Sequence, residues 1–316
     1  MFDTISQADF ERLRADYTRV NDAFSRSVVY KVGSGAGFFS EVGGMIESMM
    51  YCFHHKIRFT IFADTFAGPE GWESFFQSFC PINHNRLNNR VNGRVAPGNG
   101  VKSRLLVEAL KRSAGADLLT ADVFGKANGE FKTSVIVDWP EFDIHGTTWP
   151  EYHKLFPLAL RFNAETRAAV DAVKARLPLL PRPIYSVHIR SGDKITEQSE
   201  LLTVPFCIEQ IESTRPDVQN LFVLTDDYTN IEELRRLRPD WNVLTLTSPE
   251  ERGYWNDQFF AMPWEQRREN LVTFFAIVEI CVESDFHFGC EHSNISHVIR
   301  AMRRPEEYAP LGVVCS

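Results

Sequence analysis

A histidine and an arginine stand two residues apart at the end of an apolar, β-branched run, residues 184–190. Such a run is typical of a strand, and open parallel sheets bind their ligands where the strands end. The guanidinium of Arg190 can bind two phosphate oxygens at once and offset the charge that develops on a departing nucleoside diphosphate. His188 and Arg190 are therefore candidate phosphate-binding residues. The alternative is an ordinary ion pair between Arg190 and Asp193.

A second polar cluster follows the next strand-like run, residues 221–224, where Thr225, Asp226 and Asp227 stand in sequence. Carboxylates at such a place can accept hydrogen bonds from a ribose hydroxyl or a base NH group, or orient a neighbouring cation. Threonine and aspartate also form turns and helix N-caps, which is the alternative explanation. If both strands belong to one parallel sheet, the two clusters lie on the same edge, and this favours a functional interpretation.

Ser293 and Asn294 precede the last amphipathic segment, whose apolar residues recur at helical spacing. Backbone NH groups at the start of a helix attract anions, so a pyrophosphate group is a candidate ligand there. Helix capping alone is sufficient to explain Ser293.

A glycine-rich segment, residues 33–44, contains five glycines, among them Gly37, and it also contains Glu41. We predict a loop here, in which glycine permits close backbone approach of an acceptor or of a donor's sugar. The segment has neither the GxGxxG pattern nor the Walker lysine pattern, which makes it a weak candidate for a phosphate loop. Gly37 and Glu41 are thus assigned to an acceptor or sugar side.

Cys281, His287, Cys290 and His292 are residue types that bind zinc. Their spacing matches no closed structural zinc site, and His287 and Cys290 should fall on opposite faces of a short strand. The chain contains no CxxC pair either, and its six cysteines are interpreted as free thiols. No metal ligand is therefore predicted.

The elements of the second half alternate between strands and helices. Strands are predicted at residues 184–190, 221–224, 241–246 and 286–289, and helices at residues 204–212, 230–238, 269–282 and 293–302. Repeated βαβ units with short right-handed crossovers form a doubly wound parallel sheet.

The first half shows the same alternation of strands and helices. Met45, Met49 and Phe53 form the buried stripe of a helix after the glycine-rich segment, and Asn163 is the predicted N-cap of another. Strands are predicted at residues 27–33 and 58–64, and further helices at residues 103–112 and 164–177. Three prolines in residues 178–183 mark a boundary, so we predict two Rossmann-like α/β domains, residues 1–175 and 176–316.

Composition excludes several classes of protein. The 316 residues are 44% hydrophobic, enough for two cores, and a formal net charge of −8 gives no basic surface for nucleic acid. No apolar run approaches the roughly 20 residues that span a bilayer, and the N-terminus carries acidic residues where a signal peptide is basic. We expect no nucleic-acid partner, no transmembrane segment and a cytoplasmic location, unless the chain is the trimmed part of a luminal protein.

Four separated segments resemble, in order and spacing, the α1,6-fucosyltransferases of the core-fucosylating and nodulation type. They are residues 187–197, 222–243, 283–286 and 289–302, and residues 35–53 are similar to the glycine loop and first helix of that family. The resemblance implies two Rossmann-like domains facing across a cleft, the GT-B fold, with the acceptor on residues 1–175 and the nucleotide sugar on residues 176–316. It also implies inverting, metal-independent transfer of fucose from GDP-fucose to a hydroxyl of a glycan or glycoconjugate acceptor, without a cofactor.

The resemblance also gives individual residues a role. Arg190 would act in catalysis by stabilising GDP, and Glu197 falls near the family's proposed acceptor-side base, where a carboxylate can take the proton of the attacking hydroxyl. A solvated loop glutamate is the alternative for Glu197. The implied donor-binding residues are His188, Asp193, Lys194, Asp226, Asp227, Ser293 and Asn294.

The chain departs from the family pattern at several positions. Ser191 stands where a second arginine is expected, Phe206 where a tyrosine is expected, and Ala276 where an aspartate would read guanine, with Glu279 as the nearest acid on that helix. Two alternatives therefore remain beside the fucosyltransferase: a transferase that uses another GDP-sugar, and a non-catalytic module that binds a nucleotide sugar.

Overall fold

The computed structural model describes residues 2–64, 71–98, 100–191 and 202–312. The chain divides into two compact units, an N-terminal unit, Met1–Thr166, and a C-terminal unit, Arg167–Ser316. Each unit contains a parallel sheet with helices, so the predicted α/β class is confirmed. None of the helices in the described ranges combines the length and the apolar composition that crossing a membrane requires.

The described part of the N-terminal unit has a parallel sheet in the order β2-β1-β3 and a separate antiparallel pair, β4 and β5. Strand β1 is central, and its residues 27–30 are buried, as expected for a strand covered on both faces. The elements are α1 (Gln7–Asp22), β1 (Arg26–Lys31), α2 (Phe38–His54), β2 (Ile57–Phe62), α3 (Asn88–Val91), α4 (Val101–Ala114), β3 (Leu118–Leu119), α5 (Thr120–Lys126), α6 (Lys132–Ser134), β4 (Ile136–Trp139), β5 (Ile144–Thr147), α7 (Thr148–Glu151) and α8 (Phe156–Ala159).

The glycine-rich segment is only partly a loop. Helix α2 begins at Phe38, so Gly43 and Gly44 lie inside it, and the prediction of a loop as far as residue 44 is wrong. The reason is packing: a Cβ atom on Gly44 would lie 2.8 Å from a ring carbon of Phe124 and 3.4 Å from the hydroxyl of Tyr30. Gly44 thus allows a close approach between α2 and α5, a need that sequence cannot distinguish from a turn.

Gly44→Ala is expected to lower the free energy of unfolding by about 1–3 kcal/mol, because the new methyl group overlaps the Phe124 ring. Gly43→Ala is the matched control. No atom of the described residues lies within 4 Å of its added Cβ, so the better helix former should stabilise the protein by up to about 1 kcal/mol. Urea unfolding of both variants measures the difference, and equal effects would contradict the packing explanation.

Glu47, also on α2, is a buried carboxyl group whose side chain contacts α7. It is 2% exposed and accepts a hydrogen bond of 3.2 Å from the hydroxyl of Thr148. Burial raises the pKa of Glu47 from its ordinary value of 4.5 to about 7, although Thr148 and Lys132 oppose this shift. Glu47 therefore keeps its proton in the folded protein under conditions in which an unfolded chain releases it.

Stability should consequently fall as the pH rises from about 4.5 to about 7, by roughly 3 kcal/mol from this group, because the folded state then binds more protons than the unfolded state. Glu47→Gln should remove that part of the pH dependence. The free energy of unfolding of the variant should therefore rise relative to that of the wild type between pH 5 and pH 8. Urea unfolding at both pH values tests this, with Glu108→Gln, an exposed position on α4, as the control. A parallel pH dependence in wild type and Glu47→Gln would contradict it.

The described strands of the C-terminal unit form one parallel sheet in the order β10-β9-β6-β7-β8. Strand β10 is not predicted from sequence. It lies at the sheet edge, where Pro310, which has no NH group to donate, is tolerated. Helix α9 (Ala164–Lys174) begins in the last residues of the N-terminal unit and continues into the C-terminal unit. The other elements are β6 (Tyr185–Ile189), α10 (Val204–Thr214), β7 (Asn220–Thr225), α11 (Thr229–Leu237), β8 (Asn242–Leu244), α12 (Asn256–Ala261), α13 (Trp264–Glu283), β9 (Phe286–Cys290), α14 (Asn294–Ala301) and β10 (Tyr308–Leu311).

The two faces of this sheet differ in polarity. On one face, Tyr185, Val187 and Ile189 of β6 belong to an apolar core with residues of α10 and α11. Side chains alternate along a strand, so Ser186 and His188 occupy the opposite face, where Ser296 of α14 contacts His188. A polar layer therefore lies beneath the carboxyl edge of the sheet, on the side of α14.

Candidate active site

The polar residues that follow β6 and β7 lie on the same edge of the sheet, as predicted. The two strands are parallel neighbours, and Ile189 pairs with Thr225 at their carboxyl ends. Arg190 and Asp226 are the first residues after β6 and β7, and their side chains are in direct contact. Nη1 of Arg190 lies 2.6 Å from Oδ2 of Asp226, and the two side chains are only 14% and 12% exposed.

Asp226 organises this edge. Its Oδ1 accepts a hydrogen bond of 2.8 Å from the backbone NH of Ser191, and its Oδ2 accepts one of 3.1 Å from the NH of Tyr254. The guanidinium of Arg190 lies 5.6 Å from the centre of the Tyr254 ring. Asp226 thus holds Arg190 in one orientation through a charge-assisted bond, and it joins the loops that follow β6 and β8.

Asp227, by contrast, forms a turn just before α11. Its Oδ1 accepts hydrogen bonds from the backbone NH of Thr229, at 2.9 Å, and from the Thr229 hydroxyl, at 2.8 Å. This is the turn and helix-start geometry that the sequence offers as the alternative for this cluster. The predicted role of Asp227 on the nucleotide side stays a prediction.

His188 is buried directly beneath this edge. It is 2% exposed, and its Nδ1 lies 2.8 Å from Oγ of Ser296 on α14. Burial and the neighbouring charge of Arg190 lower the pKa of His188 to about 3. The imidazole is therefore neutral at physiological pH, and it offers a hydrogen-bond partner an NH group or a ring nitrogen rather than a charge.

The start of α14 lies on the same edge, because β9 is the parallel neighbour of β6 on its other side. Ser293 is the N-cap residue, and its hydroxyl accepts a hydrogen bond of 3.3 Å from the NH of Ile295. Asn294 is the first helical residue and is exposed. Sheet topology thus gathers Arg190, Asp226 and the α14 N-terminus on one edge. The pyrophosphate predicted for the start of this helix stays a prediction.

Glu279 is the acid nearest on α13 to Ala276, the position where the family resemblance implies a guanine-binding aspartate, and it binds two basic side chains. Nη1 and Nη2 of Arg167 bond to its two carboxylate oxygens at 2.8 and 2.9 Å, and Nζ of Lys174 lies 3.3 Å away. The residue is 4% exposed and ties α13 to α9, and Ala276 is fully buried. Glu279 is therefore used in packing and does not replace the expected aspartate.

Glu41, in the N-terminal unit, is buried beneath the glycine loop. It is 1% exposed, and its carboxylate accepts hydrogen bonds from the NH groups of Gly33, Ser34 and Ala36. The carboxylate also forms an ion pair with Arg94, at 3.0 Å. Its carboxylate therefore holds the loop in place. Its predicted place on the acceptor or sugar side stays a prediction.

Gly37 is the N-cap residue of α2, and in the described part of the chain no atom lies within 4 Å of the position that a Cβ would take. The space beside its backbone is open, which suits the predicted close approach of a sugar or an acceptor. That contact also stays a prediction.

The predicted residues Asp193, Lys194 and Glu197 lie outside the described residues. Within the described ranges, no group of three or more His, Cys, Asp or Glu side chains is arranged to hold a metal ion, zinc included. Cys52, Cys80, Cys207 and Cys281 are free and buried, and Cys290 is buried as well.

Three residues of this edge are missing from the sequence-based prediction: Ser296, Tyr254 and Asn230. Nδ2 of Asn230 bonds to Oγ of Ser191, at 3.2 Å, and to Oγ1 of Thr225, at 3.0 Å. Ser296 could have been found from sequence, because it is a polar residue on the apolar side of an amphipathic helix. Tyr254 is in a long loop without a pattern, and only the fold places it beside Arg190.

Comparisons with known proteins agree with this architecture. No protein-family model matches the chain. The crystal structure of NodZ α-1,6-fucosyltransferase soaked with GDP-fucose has a TM-score of 0.53 and 12% identity, covering 88% of this chain and 92% of that one. The fucosyltransferase NodZ from Bradyrhizobium has a TM-score of 0.51 and 13% identity, covering 87% and 92%.

The chain has the NodZ fold. The resemblance predicted from the motifs is confirmed at the level of sequence as well: an α-(1,6)-fucosyltransferase of Caenorhabditis elegans is 25% identical over 109 residues, 32% of this chain. The chain spans only 20% of the length of that curated relative. The NodZ fold is therefore established here by structure over most of the chain, whereas the curated relative supports a part of it.

Proposed function

We propose that this protein is an inverting, metal-independent glycosyltransferase that moves fucose from GDP-fucose to a hydroxyl of a glycan or glycoconjugate. The observation that carries the proposal is the edge of the C-terminal sheet, where Asp226 orients Arg190 directly above the buried, neutral His188. The NodZ fold supports it, since the NodZ structures were obtained with GDP-fucose and with GDP.

The proposed reaction is a single displacement. The oxygen of the acceptor hydroxyl attacks the anomeric carbon from the face opposite GDP, the bond from that carbon to the phosphate oxygen breaks, and GDP leaves with the electron pair. Arg190 offsets the charge that develops on the leaving phosphate, the task that a metal ion has in other transferases. The proton of the hydroxyl passes to a carboxylate base, for which Glu197 is the candidate.

The second candidate is a module that binds a nucleotide sugar without transferring it, or a transferase for another GDP-sugar. One observation favours these two alternatives. Ala276 stands where an acid would read guanine, and Glu279 is committed to Arg167 and Lys174. The base must then be recognised by other groups, or the donor is different.

Calorimetry with GDP, GDP-fucose, GDP-mannose and UDP-sugars, with a chelator present, tests the proposal. Selective binding of GDP and GDP-fucose, with slow release of GDP from GDP-fucose, is the expected result. Binding without any turnover favours the non-catalytic module, and preference for GDP-mannose favours the other transferase. If no guanine nucleotide binds, the proposed donor is wrong.

A further inference from the structure

Two buried histidines lie on the same face of the C-terminal sheet, each beside a serine hydroxyl. Nδ1 of His188 is 2.8 Å from Oγ of Ser296, and Nδ1 of His287 on β9 is 2.7 Å from Oγ of Ser186. His188 is the penultimate residue of β6, next to the edge that carries Arg190, whereas His287 pairs with Ser186 deeper in the sheet. His188 is therefore the one placed to meet a ligand at that edge.

The burial of Ser296 determines which way its hydrogen bond runs. The side chain is 0% exposed, and its hydroxyl has one hydrogen-bond partner within the described part of the chain, Nδ1 of His188. A buried hydroxyl hydrogen requires an acceptor, so Ser296 donates and Nδ1 accepts. Ser186 differs, since Ser284, the carbonyl of Phe286 and His287 all lie within its reach.

The direction of this hydrogen bond determines whether the second ring nitrogen of His188, Nε2, carries hydrogen. The low pKa of His188 keeps its imidazole neutral, and a neutral imidazole carries one NH group. With Nδ1 occupied as an acceptor, that NH group is on Nε2. The opposite tautomer would present a lone pair at Nε2, which repels an anionic oxygen.

We propose that Ser296 is a positioning residue that fixes His188 as the Nε2–H tautomer, so that the ring donates a hydrogen bond to a phosphate oxygen of the bound nucleotide. The identity of this ligand rests on the proposed function, whereas the tautomer does not. Ser296 acts through His188 and need not touch the nucleotide. The ring thereby adds a directed donor to the charge that Arg190 supplies at the same edge.

Nitrogen-15 NMR of histidine-labelled protein, without any ligand, tests the tautomer, because the two ring nitrogens differ in chemical shift when only one carries hydrogen. The expected spectrum for His188 shows the proton on Nε2 in the wild type and a mixture of tautomers in Ser296→Ala. Ser186→Ala is the matched control, since it removes the hydroxyl beside the other buried histidine. It should leave the His188 signals unchanged.

The functional consequence is measured by calorimetry with GDP. Ser296→Ala should raise the Kd for GDP about tenfold, the usual value of one directed hydrogen bond, and Ser186→Ala should not change it. Circular dichroism confirms that each variant is folded, and Ser296→Thr, which keeps the hydroxyl, should restore the affinity.

Three results separate the claims. A wild-type His188 with its proton on Nδ1 overturns the positioning role, and so does a Ser296→Ala variant with unchanged tautomer and affinity. If the tautomer is as expected but neither protein binds GDP, the proposed function fails, and with it the phosphate contact, while Ser296 remains the residue that fixes the His188 ring.

Discussion

Arg190→Ala is expected to slow the release of GDP from GDP-fucose by about 10²- to 10³-fold, with acceptor or without. An oriented donor that faces developing charge has an effect of this size when it is removed. Asp226 holds the Arg190 guanidinium at 2.6 Å, at the sheet edge where the C-terminal ends of β6, β7 and β9 meet. Initial rates of GDP release, measured for wild type and variant at saturating GDP-fucose, test the prediction.

Two variants control for folding and for charge. Arg236→Ala removes an exposed arginine that pairs with Glu233 on α11, and it should keep the full rate. Arg190→Lys keeps the charge but loses the planar fork, so its rate should lie between those of the wild type and the alanine variant. A folded Arg190→Ala protein with full activity would reject the assignment.

The folding cost of Arg190→Ala should be limited. Asp226 keeps the NH groups of Ser191 and Tyr254 as donors after the arginine is gone. Because the carboxylate remains hydrogen-bonded, we expect a loss of about 1–3 kcal/mol rather than global unfolding. Thermal unfolding of the variant separates this loss from the loss of rate.

The sheet of the C-terminal unit could be predicted from sequence because its strands are contiguous apolar runs, as buried parallel strands are. The shared edge of Arg190 and Asp226 followed from the same reasoning. The direct contact between Arg190 and Asp226, at 2.6 Å, did not follow. The alternative ion pair with Asp193 involves a residue outside the described ones. Pairing between strands depends on register, which a single sequence does not contain.

Other differences have the same origin in long-range packing. Strand β10 is not predicted from sequence, because its strand conformation depends on pairing with β9 at the sheet edge. Glu41 looks like a loop acid in the sequence, and its buried bonds to the loop appear only in three dimensions. Both cases concern residues whose environment is decided by distant parts of the chain.

Glu41 is the centre of the glycine loop in the N-terminal unit. Gly33 has a φ of 98° and Gly35 one of 93°, conformations that favour glycine. The carboxylate accepts hydrogen bonds from the NH groups of Gly33, Ser34 and Ala36. Arg94 compensates its charge and stacks over the ring of Phe124 at 4.6 Å. The loop is therefore folded around a buried ion pair.

Glu41→Ala is expected to lower the free energy of unfolding by about 3–5 kcal/mol, the usual cost of removing one partner from a buried pair. The variant leaves the guanidinium of Arg94 without this carboxylate and deprives the NH groups of Gly33, Ser34 and Ala36 of their acceptor. Urea unfolding, followed by circular dichroism, measures the loss.

Two further variants make the result specific to this carboxylate. Glu41→Gln keeps the shape and one carbonyl acceptor while removing the charge, so its loss should be smaller than that of alanine. Glu108→Ala removes an exposed glutamate from α4 and should change stability by no more than about 0.5 kcal/mol. If Glu41 instead acted directly on the acceptor, Glu41→Ala would fold with full stability and lose only transfer, because a group that faces a substrate contributes little to holding its own loop.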